Sequence, residues 1–162
     1  MSQRRFNVMG ENIFEIAKRL SRNQRLCRLL HYTDTTPFSE EKPDIKGIDL
    51  LHKNILVVPK ISDDILEKEN FIVVLFDNFI LDDNNKDFKV TTVRFNIICP
   101  FNEWLLEENS LRPYLIMEEI DKMFNEEKLA GIGNLKFSNG EELIISPQLG
   151  GYNLEYSVHE FN

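Results

Sequence analysis

The sequence predicts an α+β fold: an antiparallel or mixed sheet with a long hairpin, flanked by an N-terminal and a central helix. Three observations predict it. Two apolar, β-rich runs, from Asn70 to Leu81 and from Phe88 to Cys99, are joined by the polar stretch Asp82-Asp83-Asn84-Asn85-Lys86-Asp87. Apolar residues recur at three- and four-residue spacing between Glu11 and Leu30. Near the end of the chain, Tyr152, Leu154, Tyr156 and Val158 alternate with polar residues in the period of a half-buried strand.

The elements follow in order. Glu11 to Leu30 reads as one amphipathic helix with Ile13, Ile16, Ala17, Leu20, Cys27 and Leu30 on its apolar stripe and Lys18, Arg19, Arg22 and Arg25 largely between them. Glu11 and Glu15 in its first turns and Arg25 and Arg28 in its last suit the helix dipole. His31 to Asn54 is loop chemistry, with Thr33-Asp34-Thr35-Thr36-Pro37 and Glu40-Glu41-Lys42-Pro43 as turns, and a connection this long inside a compact domain commonly carries function. Asn54 to Pro59 reads as a short buried strand that Pro59 confines to a sheet edge. Ser62-Asp63-Asp64 reads as a cap on a helical turn running to Lys68.

In the hairpin (70–99), Val93, Phe95, Ile97 and Cys99 share one face of the return arm, and Thr92, Arg94 and Asn96 the other. The outgoing arm is apolar on both faces from Phe71 to Phe76, which predicts a central strand covered by helices on at least one side. Ser110-Leu111-Arg112-Pro113 opens the second helix with proline in its first turn, where a missing N–H costs nothing, and Ile116, Ile120, Met123 and Phe124 form its core face. Gly131 and Gly133 interrupt the pattern. Leu135 to Phe137 and Glu142 to Ile145 flank Ser138-Asn139-Gly140 and predict a second, tighter hairpin, followed by a turn from Pro147 to Gly151.

At 162 residues the chain fits a single domain, 1–162, and 42% hydrophobic with 28% charged residues is the composition of a soluble globular protein. Its longest apolar run, Phe71 to Phe76, is far short of the ~20 residues that span a bilayer. No apolar segment follows the basic start Arg4-Arg5 as in a signal peptide, so no membrane partner is expected. Cys27 and Cys99 have no Cys or His at ligand spacing, which predicts small buried hydrophobes in a reducing compartment rather than a disulfide or zinc site. The net charge of −8 is unevenly spread: residues 1–30 hold seven basic and two acidic side chains, so the rest of the chain is strongly acidic.

No catalytic constellation emerges, and no enzyme activity, cofactor or metal is expected. The Asp82–Asp87 stretch lacks the glycine and the terminal glutamate of a calcium loop. Pro43-Asp44 with Glu126-Glu127-Lys128 loosely matches a metal-dependent nuclease pattern, but Glu126 and Lys128 fall at a predicted helix end rather than on neighbouring strands. His31, His52 and His159 accompany no nucleophile motif, and no glycine-rich phosphate loop occurs. The basic helix would touch protein or solvent sooner than DNA, given the acidic chain around it.

The helix Glu11–Leu30, the arm Val90-Thr91-Thr92-Val93-Arg94-Phe95-Asn96-Ile97-Ile98-Cys99-Pro100, the Arg112-Pro113-Tyr114 helix opening and the Asn139-Gly140 segment together resemble the tail-terminator (tail-completion) proteins of long-tailed bacteriophages. That resemblance is one of element order and covers most of the chain. It implies a structural virion protein of the tail or neck, assembled in the host cytoplasm. It further implies a ring, typically of six copies, that stops tail-tube growth and offers a joining surface to the head-tail connector, with DNA passing through the lumen. Other neck or connector proteins of phages, or an intracellular adaptor, are the alternatives. The expected contact residues for subunits or partners are Arg19, Arg22 and Arg25 on the basic helix and Asp82, Asp83, Asn84, Asn85 and Asp87 at the hairpin tip.

Overall fold

A computed structural model describes residues 5–59, 69–82, 85–129 and 132–159. Helices α1 (Arg5–Ser21) and α2 (Gln24–His31) lead to a 3-10 turn (Gly47–Leu50) and to strands β1 (Ile55–Leu56), β2 (Phe71–Asp82) and β3 (Asn85–Pro100). Strands β4 (Leu105–Leu106) and β5 (Ser110–Leu111) pair in a small separate ribbon before α3 (Arg112–Phe124), β6 (Lys128–Leu129), β7 (Gly133–Ser146) and β8 (Leu149–His159). The main sheet runs β1-β2-β3-β8-β7-β6, parallel at β1–β2 and antiparallel elsewhere, so the α+β class with a mixed sheet is the one the sequence predicts. The expected turn of helix between Ser62 and Lys68 lies outside the described residues.

The three described α-helices pack on one face of the sheet. Register explains why one residue in two is buried there: Val74 lies opposite Phe95 and Phe95 opposite Leu154, while Val93 lies opposite Tyr156. Phe95 stacks on Phe124 of α3 at 5.2 Å and meets Tyr156 edge-on at 5.7 Å. Each such fully buried aromatic or aliphatic side chain contributes about 1.5–3 kcal/mol relative to exposure. Phe71, Val73 and Ile98 point to the other face and join Leu56 and Leu149 in a second, smaller cluster. Covering on both faces accounts for the unbroken apolar run of β2, but β2 is not central. Among the described residues only Ile55 and Leu56 pair along its outer side, and β3 and β8 form the middle of the sheet.

The single helix expected from Glu11 to Leu30 is two. α1 starts earlier, at Arg5, so Glu11 and Glu15 lie outside its first turn, and it ends at Ser21. Asn23 then caps α2, its Oδ1 accepting from the Leu26 N–H at 3.1 Å. Ser and Asn compete with the helical backbone for hydrogen bonds, so Ser21-Arg22-Asn23 is a natural break that an apolar stripe on either side conceals.

The Asn139-Gly140 hairpin does not form. β7 runs through it, with Asn139 opposite Glu155 and Gly140 opposite Leu154, and a bulge at Ser138 takes up the irregularity. The turn instead lies at Pro147-Gln148, and Gly150 and Gly151, expected in that turn, belong to β8. A long ladder against β8 outweighs the local preference of two turn residues. Asp82 also pairs with Asn85, which narrows the expected six-residue tip to positions 83 and 84, outside the described residues.

Candidate functional site

Two buried arginines organise the side of the molecule on which the helices lie. Arg28 of α2 is 7% exposed and donates to the carbonyls of Pro37, Ser39, Lys42 and Pro43 and to Asp44 Oδ1 at 2.6–3.3 Å. One guanidinium thus gathers four carbonyls of the long 32–46 segment, which Gln24 also pins at the Ile45 backbone. Lys42 Nζ closes the same segment on Asp34 and Thr36, and the Lys42 hydrogen bond leads the causes that hold the Asp34 carboxyl below the usual range. Gly47 completes the docking: a Cβ there would stand 1.6 Å from the Ser21 carbonyl oxygen, so only glycine lets the 3-10 turn meet the end of α1.

Arg112, at the start of α3, is fully buried and donates to the carbonyls of Leu29, Asp34 and Glu103. It ties α2, the loop and the segment ahead of β4 to one point. Burial pushes the nearby Glu103 carboxyl up, against the opposing Asn70 hydrogen bond and the Arg112 charge. In the sequence Arg28 reads as a last-turn charge matched to the helix dipole and Arg112 as part of a helix opening, and neither stands out as a buried anchor. Their only signal is position: Arg28 lies among the apolar residues of α2, and Arg112 precedes the helix-opening proline.

The expected contact arginines fall in different settings. Arg19 is half-buried on α1, at 4.0 Å from Glu15, and Arg22 is exposed in the break between the helices, at 3.8 Å from the same carboxylate. Arg25 has a structural bond: its Nε donates to Glu119 Oε1 at 2.9 Å, and its guanidinium lies 4.1 Å above the Phe38 ring. Glu119 also accepts from Asn23 at 3.0 Å. Burial alone would raise the Glu119 carboxyl, but the hydrogen bonds from Asn23 and Arg25 and the Lys122 charge outweigh it and leave it below the usual range. Of the tip residues, Asp82, Asn85 and Asp87 are placed on the hairpin arms by their backbone, and Asp83 and Asn84 lie outside the described residues.

The loose nuclease-like pattern does not converge into a site. Asp44 belongs to the Arg28 loop, Glu126 and Glu127 to the turn after α3, and Lys128 to β6. Among the described residues no three His, Cys, Asp or Glu side chains come together as metal ligands. Burial pushes the Cys27 thiol up to about 11 and raises that of Cys99 as well, so both stay protonated and act as small apolar groups, as expected. An open groove of about 610 Å³ between the Thr35–Ser39 loop and the β4–β5 turn is floored by Leu106, Leu115 and Phe38. No described helix is long and apolar enough to cross a membrane.

Two features of the sheet edges stand out. β3 leaves β8 at Thr92 and β2 leaves β1 at Val73, yet the two arms stay paired to Asp82 and Asn85. Among the described residues the hairpin beyond the body of the sheet is therefore a two-stranded ribbon. On the far side of the sheet, the outer edge of β7 is satisfied only at its start. Gly133 and Asn134 pair with β6, Leu135 bonds to Glu126 and Glu127, and the Phe137 N–H donates to Asn125. From Ser138 to Ile145 no strand among the described residues covers that edge, and Phe137, Ile144 and Ile145 stand exposed beside it.

A family model described as YomW matches residues 23–158. No curated protein and no solved structure matches the chain. The phage-derived name of the family points to a phage-associated protein. With α2, α3 and nearly all of the main sheet inside the matched span, the chain belongs to the YomW family.

Proposed function

We propose that this phage-associated protein is a tail terminator, a ring of identical subunits at the head-proximal end of the tail tube that stops tube growth and joins the head-tail connector. The observation that carries this reading is the two-stranded extension of the β2–β3 hairpin past the last β3 residue that pairs with β8. Residues 78–82 extend past the last β2 residue opposite a β3 position that still pairs with β8, a reach of ~17 Å at ~3.3 Å per residue. A two-stranded ribbon alone is marginal in water, so such an arm gains its stability from a partner. In a stack of rings that partner is the next ring, a tube subunit or a connector subunit. The tip residues Asp82, Asp83, Asn84, Asn85 and Asp87 would make the contact, and the half-buried Arg19 with the exposed Arg22 a second one. An acidic chain suits a lumen through which DNA passes without sticking, since phosphate affinity comes from Lys and Arg.

The test is negative-stain imaging of the purified protein together with a variant in which the hairpin is cut at Leu81 and Phe88 and closed with Asn-Gly. The expected result is rings from the wild type. The shortened chain should fold within about 1 kcal/mol of the wild type, since only polar residues go, yet fail to restore joined particles in a phage lacking the protein. Full restoration of particles by the shortened chain would overturn the role given to the hairpin.

A further inference from the structure

We propose that successive copies of this chain dock head to tail, the open β7 edge of one copy, bearing Glu141 and Glu142, against the α1–β1 flank of the next, bearing Lys18 and Lys53. The inference rests on the ring reading above and names the surfaces that would close the ring.

The two surfaces lie at opposite ends of the strand order. At one end α1 packs over β1 and β2, and the 3-10 turn lies beside it. Phe14 of α1 is exposed and meets the His52 ring at 5.8 Å, while Ile48 is 75% exposed and Val58 also stands in solvent. Lys18 lies one helical turn beyond Phe14, and Lys53 follows His52. Both lysines are exposed, and Glu15 on the same helix already serves Arg19 and Arg22. At the other end, Ile144 is 66% exposed beside Ile145, and the only charges between Ser138 and Ile145 are Glu141 and Glu142.

Each flank thus carries exposed large apolar side chains, but the α1–β1 flank sets Lys18, Lys46 and Lys53 against Glu11 and Asp49, a positive balance, whereas the β7 edge adds anions alone. An isologous β7–β7 pairing would set Glu141 and Glu142 against their own copies, a like-charge arrangement that destabilises cross-strand pairs. A heterologous contact instead sets opposite charges together and repeats from copy to copy, the geometry from which a closed ring is made. The open backbone edge from Ser138 to Ile145 adds unpaired donors and acceptors that such a contact covers.

Two full-length charge-reversal variants test this by mass photometry and sedimentation at low salt. One carries Glu141→Lys and Glu142→Lys, the other Lys18→Glu and Lys53→Glu. All four residues are exposed, so circular dichroism should match the wild type. Each variant alone should weaken self-association about tenfold, because two attractive pairs become repulsive. An equimolar mixture should regain assemblies of wild-type size, since alternation of the two variants makes every junction complementary. Dimers as the end point of mixing would indicate β7–β7 pairing and overturn the proposal. So would assembly of either variant at the wild-type level, or failure of the mixture to assemble where the wild type does; in those cases the ring reading stands. A wild type that stays monomeric up to millimolar concentration overturns the ring reading and this inference together.

Discussion

Replacing Arg112 with methionine removes the donors that hold three carbonyls, those of Leu29, Asp34 and Glu103, at the buried start of α3. Each hydrogen bond from a charged donor contributes about 1.5–3 kcal/mol, and an orphaned buried acceptor costs about 1–3 kcal/mol. Methionine recovers part of that sum, since it packs without the desolvation penalty of a buried cation. The net loss should be about 3 kcal/mol. For a chain of 150–250 residues that corresponds to a fall in Tm of about 6–12 °C. In urea, with a slope of about 2 kcal/mol/M, the midpoint should fall by about 1.5 M and the slope should not change. Arg112→Lys should be similarly costly, because one ammonium cannot span the fork that serves three acceptors. Thermal melts and urea titrations followed by circular dichroism read both variants. A methionine variant within about 1 kcal/mol of the wild type would refute the view that Arg112 fastens α2, the loop and the β4 segment together.

Three further outcomes follow from the same geometry. Gly47→Ala should destabilise by about 1–3 kcal/mol, because its methyl group would have to displace the Ser21 carbonyl; a neutral melt would show that the 3-10 turn moves freely. Arg25→Glu, which sets a carboxylate against Glu119, should lower Tm by several degrees, whereas Arg22→Glu at an exposed site should leave it nearly unchanged; equal melting temperatures would contradict the bridge. Glu119 is lowered in the folded state, so its contribution to stability is present above its ordinary value and lost as pH falls through the folded value. Stability of Glu119→Gln should therefore fall less than that of the wild type between about pH 5 and pH 3, and parallel pH profiles would sink the assignment.

The hairpin was legible because its two arms carry period and composition over many residues, and the α3 face because Ile116, Ile120 and Phe124 keep helical spacing into the core. What misled was local. Asn139-Gly140 has the chemistry of a turn but sits in a strand whose pairing with β8 is fixed by residues on both sides. The apolar stripe from Ile13 to Leu30 hides a break, since Ile16 and Leu30 both reach the core from separate helices. Arg28 and Arg112 were invisible as structural residues because burial of an arginine depends on carbonyls brought in from distant segments, and no spacing records that. The bond of the exposed Arg25 to Glu119 was equally hidden, its partner lying far along the chain. The open β7 edge could not be anticipated once a hairpin was expected there.

Tail length in particles made without this protein tests the central claim most directly. Electron micrographs of lysates from a phage lacking it should show tubes of widely varying, extended length that carry no heads, and supplying the wild-type chain should restore a single length and joined, filled heads. Tails of uniform wild-type length attached to filled heads in its absence would contradict the terminator reading.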